Sequence, residues 1–149
     1  MDWEKGITLA IAVYAALLST VIQLANWKKS KPQIKTSLRI GMLGYDNGYL
    51  SDLVLILEAA NVGERPATLA SEYILLPDGR QLLSFNPNAD VDFPHELAPG
   101  KSCRIWFDRA ELKKALSEAG YSGRVWLTGF YHDATGAKFR SRKFRYDAG

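Results

Sequence analysis

Three side chains in this sequence could supply a nucleophile or a general base, namely His95, His132 and Cys103. Brought together, a thiolate and an imidazole could support hydrolysis. No histidine or cysteine has a second ligand at metal-site spacing, and no glycine-rich phosphate or nucleotide motif occurs. A lone cysteine in an alternating strand is more often buried than reactive. The sequence therefore predicts a non-catalytic protein without a metal or a cofactor.

The basic residues point instead to binding, because they lie in two clusters. Residues 28–39 carry a charge of +5 and residues 138–145 another +5, whereas residues 40–137 hold 8 basic against 13 acidic residues, a balance of −5. Such clusters attract anionic lipid headgroups or an acidic partner. On an edge strand, they would also deter pairing with the sheets of other molecules. The candidate contact residues are Lys28, Lys29, Lys31, Lys35, Arg140, Arg142, Lys143 and Arg145.

Nucleic acid is not an expected partner. The aromatic residues of the second cluster, Phe139, Phe144 and Tyr146, are predicted to face a core, and no established nucleic-acid motif is present.

A membrane segment precedes these clusters. The 22 residues from Gly6 to Trp27 contain no charged side chain, and as a helix they would extend about 33 Å against a hydrocarbon core of about 30 Å. A cleaved signal peptide is the main alternative, but the leader is not basic and the apolar run is longer than a signal requires. The sequence predicts a leader over 1–5, a single transmembrane helix over 6–27 and a basic linker over 28–32.

The distribution of basic residues predicts the orientation of this span. Only Lys5 precedes the helix, whereas five basic residues follow it within residues 28–39. Because Lys and Arg are retained on the cytoplasmic side, we expect the N-terminus outside and the C-terminal domain in the cytoplasm.

One face of the helix could pack against other membrane subunits. Steps of four, three and four residues place three small side chains and one amide on the same side: Ala12, Ala16, Ser19 and Gln23. Small residues allow close helix approach, and a glutamine in lipid seeks a hydrogen bond. Alternatively, alanine is simply common in such helices and Gln23 reaches interfacial water.

The remaining residues, 33–149, predict a mainly β domain. The short helix 108–119 has a predicted capping pair, Asp108 and Glu111, and a terminating Gly120. Residues 86–99 predict an irregular loop. Strands are predicted at 33–43, 50–60, 66–76, 81–85, 102–107, 124–132 and 138–146. Seven short strands separated by turns favour an antiparallel β-sandwich with one short inserted helix.

Two turn motifs of this sequence resemble those of a known group of β-sandwich domains. Asn61-Val62-Gly63, followed by the segment from Glu96 to Ser102 (ELAPGKS), resembles the "N-x-G … L-x-P-G-x-S" pattern of bacterial immunoglobulin-like and fibronectin-like sandwiches, including adhesion-related ones. The chain also resembles uncharacterised bacterial single-span membrane proteins with a similar domain behind one helix. The resemblance covers residues 50–107 and implies an immunoglobulin-like fold. The inserted helix and the predicted cytoplasmic location depart from the exported members.

Three functions are compatible with these observations. The preferred one is a non-catalytic accessory or scaffold subunit of a larger membrane complex, which binds partners through its helix and its sandwich. The alternative is a stand-alone membrane-tethered receptor or adhesion-like module. A hydrolase would require two of His95, His132 and Cys103 to meet in space.

Overall fold

The computed structural model describes residues 2–82 and 88–149, and it describes only the backbone of residues 28–30. Helix α1 runs from Asp2 to Ser30. It therefore continues through most of the segments predicted as leader and linker. Its acidic residues Asp2 and Glu4 lie in the first turn, where they favour a helix through its dipole. The segment Asp2–Trp27 is long and apolar enough to span a membrane.

The body that follows α1 is built from two antiparallel sheets and a short helix, α2 (Arg109–Glu118). Sheet I has the strand order β1-β2-β7-β5 and sheet II the order β10-β8-β3-β4, with β6 also paired to β3 and β9 to β8. The strands are β1 Ile34–Gly41, β2 Val54–Asn61, β3 Ala67–Leu75, β4 Gln81–Leu82, β5 Asn88–Ala89, β6 His95–Leu97, β7 Ser102–Asp108, β8 Arg124–Asp133, β9 Lys138–Arg140 and β10 Phe144–Asp147. The predicted mainly β architecture is confirmed.

The short strands differ from the prediction. The predicted strand 138–146 is interrupted, and β9 and β10 pair with successive parts of β8. The predicted loop 86–99 contains β5 and β6, which pair with β7 and β3. The predicted strand 81–85 is seen only as β4, since residues 83–85 lie outside the described residues. Ten strands are thus present within the described residues, where seven were predicted.

Helix α2 ends as predicted but begins differently. Gly120 has a φ of +90°, and the N–H groups of Gly120 and Tyr121 donate to the carbonyls of Ser117 and Leu116, which is the glycine-terminated pattern expected at a helix C-terminus. The predicted capping pair is wrong, because Asp108 makes no side-chain capping bond. Asp108 is also the last residue of β7, where its pairing with β2 holds it in an extended conformation.

Buried side chains of both sheets form one apolar core among the described residues, and the two sheets are in close contact at Leu57. Leu57 on β2 is fully buried, and a Cβ on Gly129 of β8 would overlap one of its methyl groups. The hydroxyl of Tyr131, also on β8, donates to the Leu57 carbonyl at 2.6 Å. Burial raises the pKa of Tyr131, so this hydroxyl stays protonated. Leu57 therefore joins sheet I to sheet II through both packing and a hydrogen bond.

Asn61 connects the two turn motifs. Its buried side-chain amide donates to the carbonyls of Arg65 at 2.8 Å and Leu97 at 2.9 Å, and its Oδ1 accepts from the Gly63 N–H at 3.0 Å. Its backbone carbonyl accepts from the Gly100 N–H at 2.9 Å. The motif thus holds the β2–β3 crossover against the turn that precedes β7.

We predict that Gly129→Ala destabilises the domain by about 1–3 kcal/mol, because the added methyl group must displace Leu57. The measurement is thermal unfolding followed by circular dichroism in detergent. Gly44→Ala is the matched control, because its Cβ would lie 3.9 Å from Leu50. Equal melting temperatures for the two variants would contradict this account of the contact between the sheets.

Candidate functional site

The outer face of sheet II carries several aromatic side chains, one of which is well exposed. Along β8, the buried residues Val125, Leu127 and Tyr131 belong to the core. Because successive strand residues point to opposite faces, the alternate residues face away from the core: Trp126, Thr128, Phe130 and His132. We call this surface the sheet II face.

Aromatic rings line its centre. Tyr73 on β3 pairs with Phe130 on β8, and their rings stack with centroids 4.9 Å apart. The His132 ring meets Tyr73 edge-on at 5.1 Å. Tyr73 is only 5% exposed, whereas Trp126 is 53% exposed. The solvent-accessible aromatic surface of this face is therefore concentrated at Trp126.

Cations flank this row along β9 and β10. Arg140 lies opposite Phe130, and Arg145 lies opposite Trp126. Arg142 and Lys143 lie exposed in the break between the two strands. Among the residues that the structure describes, no carboxylate lies within 4 Å of these four cations. Four of the predicted contact residues are thus brought together without neutralising charges.

The outer face of sheet I is different, because most of its charges are paired, with Lys35 as an exception. Glu58 lies 3.4 Å from Arg39 and 4.0 Å from Arg104, and Arg104 lies 3.8 Å from Asp90. These contacts extend from β1 across β2 and β7 to Asp90, the residue after β5. The four cations of the sheet II face have no such ion pair among the described residues.

A groove of about 570 Å³ crosses the sheet II face. Residues 75–77, two leucines and a proline, line one side, and Arg140 and Lys143 line the other. Trp126 and Thr128 lie between them, because β8 is the strand between β3 and the β9–β10 edge. The groove therefore has an apolar side, a basic side and an exposed indole.

Ser141 fixes the shape of the basic side. Its side chain is buried; Oγ accepts from the Gly129 N–H at 2.8 Å and donates to the Arg142 carbonyl at 2.9 Å. Its backbone N–H donates to the Gly129 carbonyl at 2.8 Å. These bonds hold the break between β9 and β10 against β8 and so position Arg140, Arg142 and Lys143.

The other predicted contact residues lie elsewhere. The Lys31 ammonium lies 3.7 Å from the Trp27 ring centroid. Lys35 is exposed on β1 of sheet I, where its neighbour Thr36 is buried, so it faces away from the sheet II face. The side chains of Lys28 and Lys29 lie outside the described part of the chain. Lys35 and Arg140 therefore lie on the outer sides of different sheets, although β1 runs close to β9.

The predicted helix face is exposed along α1: Ala12, Ala16, Ser19 and Gln23. Its role in packing stays a prediction.

The three residues of the hydrolase hypothesis are not grouped. His95 and His132 lie on β6 and β8, on opposite sides of β3, which separates their backbones by about 10 Å. Cys103 is buried on β7 of the other sheet. Burial, reinforced by the charges of Asp90, Glu58 and Glu72, raises the pKa of Cys103 to about 12. Its thiol is therefore protonated at neutral pH. Within the described residues, no three His, Cys, Asp or Glu side chains form a potential metal site.

No protein-family model matches this chain, and no curated protein shows a significant match to it. The groove geometry is therefore the basis for a functional proposal.

We predict that Ser141→Ala destabilises the domain by about 1–3 kcal/mol, because the buried N–H of Gly129 loses its acceptor. Chemical denaturation of the full chain in detergent measures the loss. Ser122→Ala, at an exposed site, is the control and should change stability by less than about 0.5 kcal/mol. If both variants unfold at the same denaturant concentration, Ser141 does not hold the strand break.

Proposed function

We propose that this protein is a non-catalytic, membrane-anchored accessory or scaffold subunit that binds partner proteins through the sheet II face and through α1. The observation that carries the proposal is the exposed Trp126 beside four cations that have no carboxylate partner in the described part of the chain. Tryptophan and arginine are the side chains most enriched at the energetic centres of protein interfaces.

An immunoglobulin-like sandwich is part of this proposal. The orders β1-β2-β7-β5 and β10-β8-β3-β4 correspond to the A-B-E-D and G-F-C-C′ sheets of that fold, with α2 placed between strands E and F. The shared core between the sheets supports the same assignment. The resemblance to bacterial single-span proteins stays a prediction.

The helix supports a subunit role in a second way. The face formed by Ala12, Ala16, Ser19 and Gln23 has small side chains that permit close helix packing and one amide that can bond to a neighbour. The five basic residues that follow the span favour a cytoplasmic domain. Partners of the sheet II face are then expected in the cytoplasm or on the cytoplasmic side of other membrane subunits.

A stand-alone receptor is the second candidate. It is favoured by the size of the groove, since about 570 Å³ lies within the roughly 300–1,000 Å³ of small-molecule sites. A receptor of this kind would remain a single chain in the membrane, whereas a scaffold subunit would be found in a larger assembly.

We predict that a photocrosslinking residue in place of Trp126 gives a defined crosslinked product in native membranes. The same substitution at Ser102, which is exposed on β7 of sheet I, should give none. Native mass measurement in mild detergent should find the wild-type chain in an assembly heavier than one copy. An isolated 16.6 kDa chain without crosslinks at position 126 would reject the subunit proposal.

Orientation is tested with a membrane-impermeant thiol reagent on a Cys103→Ala background. A cysteine appended after Gly149 should react only after the cells are permeabilised, whereas Asp2→Cys should react in intact cells. Wild-type Cys103 should react only after unfolding, because it is buried and its pKa is raised to about 12. Reaction of the C-terminal cysteine in intact cells would reverse the proposed orientation.

A further inference from the structure

We infer that the groove of the sheet II face binds an acidic, extended segment of a partner protein. An apolar side chain of that segment packs against Trp126, Leu75 and Pro77. The carboxylates of the segment meet Arg140 and Lys143. The inference rests on the proposed function, because it names the chemistry of the partner that the face recognises.

The shape of the groove fits a peptide chain. Its apolar side is formed by the end of β3, and its basic side by the strand break between β9 and β10. A segment lying in it would therefore have an apolar side chain on one flank and acidic side chains on the other. The exposed indole of Trp126 lies between the two flanks. It supplies a large apolar surface, and the side chain loses few rotamers when a ligand binds.

The cations extend beyond the groove, which favours a segment with several carboxylates. Arg140 and Lys143 line it, and Arg145 continues the row along β10 opposite Trp126. A small anion, or the headgroup of a single lipid, would contact only part of this row of cations. A longer polyanion such as a nucleic acid would meet the remaining domain, where residues 40–137 carry a balance of −5.

The Trp126 end of the groove lies far from the end of the domain that the membrane helix enters. The Val62 N–H donates to the Gln33 carbonyl at 2.9 Å, so the start of β1 lies beside the crossover to β3. Asp133 pairs with Leu69 near that same end. Trp126 is seven residues further along β8, which is about 23 Å. A protein segment is therefore a better occupant than a headgroup of the membrane that holds the chain.

The test uses the full chain in nanodiscs of neutral phosphatidylcholine. Its probe is a fluorescent peptide in which pairs of glutamate alternate with single leucines, and binding is followed by anisotropy. Arg140→Ala and Lys143→Ala should each weaken binding about threefold, and Trp126→Ala about tenfold. Lys114→Ala, at an exposed cation on α2, should have no effect. Added salt should weaken binding of the wild-type chain.

Four outcomes would overturn the inference. The first is equal binding of the same peptide with glutamine for glutamate. The second is peptide binding that is unchanged in the three groove variants. The third is tighter binding of a single-stranded oligothymidine that is lost in the same variants. The fourth is displacement of the peptide by phosphatidylserine in the nanodisc. Crosslinking at position 126 together with any of these results would leave the proposed subunit function standing and reject only the acidic segment.

Discussion

The contact between β8 and Leu57 determines which residues of β8 face outward from sheet II. Gly129 leaves room for the Leu57 side chain, and Tyr131 bonds to its carbonyl, so the inner positions of β8 are committed to the core. Since strand residues alternate, Trp126 and Phe130 must then face outward. A shift of β8 by one residue would bury Trp126 against sheet I and expose the tyrosine. The composition of the sheet II face thus depends on how the two sheets pack.

The long strands could be predicted because each has a side-chain pattern of its own. The continuous apolar run of β2 indicates a central strand, which it is, between β1 and β7. Strands β5 and β6, of two and three residues, are too short to show the alternation of apolar and polar side chains by which a strand is recognised in a sequence. Their pairing is set by neighbours that are distant in sequence. The same limit applies to Asp108, whose conformation depends on pairing with β2 rather than on the helix that follows it.

Part of the candidate site could be predicted from the sequence. The charge count identified Arg140, Arg142, Lys143 and Arg145, because clustered cations are visible without a fold. Trp126 was missed, although its position between Val125 and Leu127 indicates an outward-facing residue once β8 is accepted as a strand. The apolar side of the groove could not be predicted. It comes from residues 75–77, which reach the cations only through the pairing of β3 with β8.

The two turn motifs on which the predicted resemblance rests account for folding rather than for recognition. Asn61 uses both donors of its amide and its acceptor within the domain, and its carbonyl also binds Gly100. The side chain is also buried, so it does not reach the surface. The resemblance ends at residue 107, whereas Trp126 and the cations of β9 and β10 follow it. A similar fold could therefore carry a different outer face, and the identity of the partner depends on side chains that the fold itself does not require.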